Sequence, residues 1–250
     1  MDELVSVITP SFNTARFIGA AIESVIAQTY TNWEMIIVDD HSSDGSIEII
    51  EKYSSKDSRI KLIRLDKNHG PAIARNKAIQ ESKGRFIAFL DSDDLWKRNK
   101  LERQISYMIQ HNASFTFSAY QRIDELGNPI GDVIEVPERV TYNDLLKSCV
   151  VGCLTAVYDS KKIGKVYMPV IRKAQDYALW LKILKMGEIG YGIQENLAYY
   201  RIRPHSISRN KMVKAFYQWH IYRKVEKLSF HKSLYYMGHY GYYGLKKMKK

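Results

Sequence analysis

Four short apolar runs, each followed by a polar break and a helix-patterned stretch, occupy the first 110 residues and leave few folds open. "LVSVIT" (4–9), "WEMIIVDD" (33–40), "RIKLIRL" (59–65) and "RFIAFL" (85–90) are β-branched or almost wholly apolar. They are too short for helices and too continuous to keep one face in water. Between them, "RFIGAAIESVIAQ" (16–28) carries Phe17, Ala20, Ala21, Ser24, Val25 and Gln28 at helical spacing, and "SDGSIEIIEKY" opens on capping residues. "HGPAIARNKAIQESKG" has Pro71 at a first helical position and Gly84 as a stop. This β-α-β-α-β-α-β order predicts an α/β fold with a mostly parallel, doubly wound central sheet flanked by helices. "KRNKLERQISYMIQH" adds a further helix. Past residue 112 the pattern loosens. "ASFTFSAYQRID" and "GCLTAVYD" read as strands, with a turn at "ELGNPIG" and a short helix near "TYNDLLKS". "AQDYALWLKILKMG" (174–187) reads as a helix, "IGYGIQENLAYYRIR" as a hairpin or paired strands, and the last forty residues as two helices.

Charge separates the body of the chain from its end. Of the net +11, the last forty residues supply +9 through ten Lys/Arg against one acid, Glu226, leaving the first 210 residues at +2. A basic tail on a near-neutral body argues against a nucleic-acid-binding protein, and no recognition-helix or RNA-motif pattern occurs. No stretch approaches the ~20 apolar residues that span a bilayer. The opening "MDELVSVITP" enters a strand at once, so no signal peptide is expected. Cys149 and Cys153, the two cysteines, lack a His partner at zinc-ligand spacing and are expected as free thiols in a reducing cytoplasm.

In a doubly wound sheet, ligands bind beyond the carboxyl ends of the strands. Three polar clusters fall there: "PSFN" with Pro10, Phe12 and Asn13, "DDHSSDG" with Asp40, and "DSDD" with Asp91, Asp93 and Asp94. Carboxylates gathered at the end of a buried strand repel one another and lose hydration, so a cation should compensate them. The first strand has no Gly-rich turn after it and the chain no Walker A loop, which excludes the dinucleotide and P-loop modes of phosphate binding. A nucleoside diphosphate accounts for more of the pattern. Phe12 would stack on or flank a base, Asp40 accept from a base N–H, Arg75 face the diphosphate or base, and Asp91 take ribose hydroxyls. Asp93 would hold Mg²⁺ or Mn²⁺, with phosphates and water completing the octahedron. Asp39 and Asp44 are read as loop supports, Asp44 as a helix cap, and Asp94 as a cap for the helix beginning near Lys97.

"VSVITPSFN", "IIVDDHSSDGS", "GPAIARNKAI" and "FIAFLDSDDLW" together resemble the family 2 glycosyltransferases of GT-A fold, and the likeness runs over roughly residues 3–210. "RKAQDYALWLKIL" resembles the segment carrying that family's catalytic base, usually E-D; here the first position is Gln175 and the second Asp176. "YYRIRPHSIS" resembles its C-terminal gating stretch. The resemblance points to bacterial cell-surface polysaccharide transferases, those of teichuronic acid biosynthesis among them. It implies transfer from a nucleotide-sugar to a glycan or lipid-linked glycan, with inversion and with Asp176 as base. It also implies residues 1–110 as the nucleotide-sugar half and 111–210 as the acceptor half, while residues 211–250 are read from their own pattern as a basic, aromatic-rich helical tail. Trp180, one turn after Asp176, either lines the acceptor site or packs in the core, and His205 is a further candidate contact to metal or phosphate. A nucleotide-sugar hydrolase or nucleotidyltransferase could use the same pocket.

The tail interleaves ten aromatics with its ten basic residues. Met212, Ala215, Phe216, Trp219, Tyr222 and Val225 form one helical face, which reads as packing against the body. "LYYMGHYGYYGLKKMKK" has tyrosines and lysines without acids, the pattern of an interfacial membrane contact. The expectation is a cytoplasmic enzyme held on the inner face of the cell membrane by its C-terminus.

Overall fold

The computed structural model describes residues 3–203 and 211–246. Its elements run β1 (Val5–Ser11), α1 (Ala15–Ile26), β2 (Trp33–Asp39), α2 (Ser46–Ser54), β3 (Ile60–Arg64), α3 (Pro71–Glu81) and β4 (Phe86–Phe89), the alternation expected. They continue with β5 (Leu95–Trp96), α4 (Lys100–Gln110), β6 (Phe115–Ile123), β7 (Pro129–Ile134), β8 (Arg139–Val140), α5 (Tyr142–Lys147), β9 (Val157–Asp159), α6 (Ser160–Ile163), α7 (Gln175–Lys185), β10 (Gly190–Arg201), α8 (Lys211–His220) and α9 (Phe230–Lys246).

The first four strands pair in parallel in the order β3-β2-β1-β4. Their continuous apolar sequences follow from burial on both faces. Val5, Val7, Met35, Ile37, Phe86 and Ala88 pack with α1, α2 and α4. Their alternating neighbours Ile8, Ile36, Val38, Ile87 and Phe89 pack with α3, α5 and α7. α3 meets the sheet through Ala72, Ala74 and Ala78, small enough to bring the helix close. Gly84 is needed because a Cβ there would stand 2.6 Å from the Ser6 nitrogen.

Beyond β4 the sheet becomes mixed. β9 runs antiparallel between β4 and β6, and β10 runs parallel to β6. Residues 190–201 are one strand, not the expected hairpin. "QEN" makes a register shift against β6 between Ile193 and Ala198, a bulge and not a reversal, because Leu197 and Ala198 continue into the core. Gln28 lies past the end of α1, not on its face. Its amide donates to the Ser24 and Lys97 carbonyls and accepts from Leu101 N–H, tying α1 to the start of α4.

The segment after residue 210 shares this core. Ile221 and Tyr222, in a π-helical turn over Ile221–Val225, are fully buried with α5 and α7. Tyr222 donates to the Leu146 carbonyl at 2.5 Å and Gln218 to the Tyr177 hydroxyl at 2.9 Å. Glu226 accepts from Tyr142 at 2.6 Å and from Lys185 at 2.9 Å. Residues on both sides of position 210 therefore share one core, as the helical face over 212–225 led us to expect. Tyr222→Ala should cost about 3–5 kcal/mol, the range for a deleted buried aromatic. That would lower the melting temperature by roughly 10 °C. Tyr235→Ala, on an exposed face, should move it by little more than a degree. Calorimetric melts of the two variants check the contrast.

Candidate active site

The loops after β1, β2 and β4 converge at one sheet edge, and polar contacts to one another and to neighbouring segments fix them. After β1, Asn13 takes a left-handed conformation (φ 50°), donates its N–H to Ser42 Oγ and accepts Ser43 N–H on Oδ1. Asn13 thus joins the β1 and β2 loops directly. Pro10 lies within β1 opposite Val38. Phe12 stands out at the same edge with 46% of its surface exposed. After β2, Asp39 holds Ser42 through its N–H and hydroxyl. Asp44 accepts from Ser46 at the start of α2 and from Ala15 N–H at 2.9 Å, so it caps α1 across the loop while supporting its own turn.

Asp40 is 3% exposed, and its two oxygens accept the N–H groups of His69 (2.7 Å) and Gly70 (2.8 Å). Gly70 can offer its amide because it sits at φ 90°, where a side chain would be strained. Asp40 therefore fixes the entry to α3, and each carboxylate oxygen keeps a further lone pair.

α3 delivers Arg75 beneath this edge. The guanidinium is nearly buried and donates to Asp91 Oδ1 at 2.5 Å. Burial works to lower its proton affinity, but the Asp91 charge foremost, with Asp176 behind it, raises it, so Arg75 stays a cation. Asp176 lies in the first turn of α7, within electrostatic reach of Arg75 and Asp91. Burial pushes its carboxyl above the usual carboxylate range and Arg75 partly offsets this. The residue before that turn, Ala174, has φ 57°, a strained left-handed conformation for a residue with a Cβ. Gln175 is buried with its Oε1 unpartnered. Cys153 is a free thiol, pushed up by burial and next by the Asp91 charge.

The acidic turn after β4 divides its charge among three partners. Asp91 pairs with Arg75, Asp93 Oδ2 pairs with Arg203 Nε at 2.8 Å, and Asp94 Oδ1 accepts Arg201 N–H at 2.8 Å. Asp94 is therefore not a helix cap; α4 begins after Asn99, and Asp94 is a buried anchor for β10. Burial, with Asp93 next, drives its proton affinity well up, and its Oδ2 is unpartnered. Arg201 also donates from Nε to the Asp93 carbonyl at 2.8 Å and from Nη1 to the Asp124 and Glu125 carbonyls at 2.9 Å. The Arg201 and Arg203 guanidiniums both lie over the Phe17 ring, at 5.1 and 5.7 Å.

The two readings left open for Trp180 are resolved by its packing. Trp180 is fully buried, stacked on Phe115 at 5.3 Å and edge-on to Phe89 at 5.2 Å, so it belongs to the core and does not line an acceptor surface. His205 lies outside the described residues. The sequence reading missed Arg201 and Arg203. Their i, i+2 spacing at a strand end places both on one face, the signal that could have paired them with the carboxylates.

Among the described residues no three His, Cys, Asp or Glu side chains gather as a complete metal cage. A cage is not needed for Mg²⁺ or Mn²⁺ shared with phosphates, which takes one or two protein carboxylates. Asp93 fits that need. Burial first, and Asp91 second, raise its proton affinity, and Arg203 already sets a cation against it.

The model for Glycosyl transferase family 2 matches residues 6–159. A putative teichuronic acid biosynthesis glycosyltransferase, TuaG, of Bacillus subtilis is 46% identical over 230 residues, covering 92% of this chain and 91% of the relative. WfgD of Escherichia coli, a UDP-Glc:alpha-D-GlcNAc-diphosphoundecaprenol beta-1,3-glucosyltransferase, is 44% identical over 221 residues, covering 88% of this chain and 85% of the relative. The crystal structure of S. aureus TarS 1–349 with UDP-GlcNAc superimposes with a TM-score of 0.75 at 20% identity, covering 94% of this chain and 71% of that one. The chain belongs to glycosyl transferase family 2 and is a glycosyltransferase of GT-A fold.

Proposed function

We propose that the protein is a metal-dependent, inverting glycosyltransferase. It would move a sugar from a UDP-sugar to a lipid-linked glycan during assembly of a cell-surface polysaccharide. One observation carries the reading: beyond the end of β4, Asp91 is ion-paired to the nearly buried Arg75 at 2.5 Å while Asp93, two residues on, stands on a separate cation, Arg203, at 2.8 Å. Neighbouring acids held on separate cations suit a donor diphosphate and its metal.

The donor base would rest against exposed Phe12, beside Asn13 and Pro10, with Asp40 accepting from it and Asp91 from the ribose. Asp93 would hold Mg²⁺ or Mn²⁺, which when bound offsets the negative charge of the departing diphosphate. Arg75 adds its own positive charge to the same region. Asp176 takes the proton of the acceptor hydroxyl as that oxygen bonds to the anomeric carbon. The carbon–diphosphate bond breaks on the opposite face, its electron pair leaving with the nucleotide. The acceptor class follows WfgD, whose name gives UDP-glucose and a diphosphoundecaprenol-linked sugar. Nucleotide donor and lipid-linked acceptor would meet at the cytoplasmic face of the membrane.

Incubation with UDP-, dTDP- and GDP-sugars, with and without Mn²⁺, tests the reading. UDP-sugar binding strengthened by Mn²⁺ is expected, and no binding of any donor would end it. Asp93→Ala should remove the Mn²⁺ dependence of UDP binding in calorimetry. Asp91→Ala should weaken UDP whether metal is present or not.

Asp176→Asn retains shape but not basicity. Transfer should fall 10²–10⁴-fold, the usual worth of a general base, while donor affinity holds. Because burial raises the Asp176 pKa and the base must be ionised to act, activity should fail on acidification above the usual Asp range. The pH–kcat profile of the wild type should show that acid limb, and the Asn variant should lack it.

A further inference from the structure

We infer that the outward face of α9 is a docking surface for an anionic lipid bilayer, holding the helix in the plane of the headgroups. The inference deepens, and rests on, the reading of a lipid-linked acceptor. α9 carries aromatic and apolar residues on both of its faces. Ser233 is fully buried, and Tyr236 and Met237 pack on the domain, with the Tyr236 hydroxyl donating to Asn143 Oδ1 at 3.0 Å. The opposite arc is aromatic and apolar: Phe230, Leu234, Tyr235 and Tyr242 are 55%, 56%, 57% and 63% exposed. At 100° per residue these four lie within one arc of about 140°. Gly238 and Gly241 fall in the same arc, and a Cβ at either would meet nothing, so intramolecular packing does not call for them.

Charge selects the occupant. From Lys227 to the C-terminus there are six lysines and no acid. Glu226, the tail's one carboxylate, is buried and taken by Tyr142 and Lys185. A second copy would bring together two C-terminal segments that each carry six lysines and no acid, which like-charge repulsion opposes. Anionic headgroups complement it, each Lys near the surface contributing about 1 kcal/mol. Tyrosine and phenylalanine suit the interface, where ring bodies leave water and hydroxyls stay in it. No helix among the described residues is long and apolar enough to cross a membrane, so α9 would lie in the plane. α9 packs on α5 and α5 on α7, whose first turn bears Asp176. A bilayer under α9 is thereby tied through two packed helices to the acceptor side of the site.

The full-length protein should co-sediment with phosphatidylglycerol-containing vesicles at low salt, should not do so with pure phosphatidylcholine, and should be released by high salt. The double substitution Leu234→Glu, Tyr235→Glu should cut that partition at least tenfold with melting temperature and UDP affinity unchanged. Lys227→Glu, Lys232→Glu should weaken it in the same direction through charge alone. No vesicle binding by the wild type, or equal binding by both variants, overturns the inference. So does light scattering that shows a dimer dissolved by the apolar-to-acid variant without any vesicle binding. These vesicles hold no glycan acceptor. Failure of transfer to a polyprenyl-diphosphate sugar would therefore count against the acceptor reading and leave the docking result standing.

Discussion

Parallel strands joined by crossover helices end at one edge, and that constraint orders the rest of this molecule. β1, β2 and β4 lie side by side and point the same way. The chain must therefore leave each at the same rim of the sheet, and whatever chemistry those exits carry is brought together. The strand interiors can be nearly uniform because helices cover both faces. The variable, polar information is thus concentrated where the strands stop.

Concentrating acids at such a rim is electrostatically costly, and the structure relieves it with three different partners. Arg75 comes from a helix on one face of the sheet and neutralises Asp91. Arg203 comes from the far strand and sits on Asp93. Asp94 is met by a backbone N–H and a nearly buried Arg201, and buried carboxyls of this kind hold their protons more tightly. Each carboxylate therefore has a separate environment, and neighbouring acids with separate environments can serve separate tasks. The same cation that pairs with Asp91 also opposes the burial that raises the Asp176 proton affinity.

The C-terminal segment divides by packing, not by composition. The stretch around Ile221 and Tyr222 is as buried as the sheet itself, while the outer arc of α9, with a similar aromatic content, remains outside. Aromatic residues fill a core when their hydroxyls find carbonyls, as Tyr222 does at Leu146. On the outer side, where Leu234, Tyr235 and Tyr242 stay more than half exposed, the same residue types make a surface.

The alternation of elements, the parallel first half, the three strand-end clusters and the family were legible in the one-dimensional pattern. Periodicity and turn chemistry are local properties that reach a few residues along the chain. The motif spellings then carry the likeness to the family. Residue environments were less legible, because they depend on contacts between segments far apart in the chain. Whether Trp180 faces an acceptor or the core was decided by Phe89 and Phe115, each more than sixty residues away. Whether Asp94 caps a helix was decided by Arg201 on a strand 107 positions later. Residues 190–201 became one strand because β6 was there to pair with, so that a bulge at Asn196 cost less than a reversal. Sequence by itself determined the order of elements and the residue types at their ends. Tertiary structure alone decided the partner of each charge and the face each ring presents, since burial and electrostatic pairing are set by neighbours in space and not in sequence.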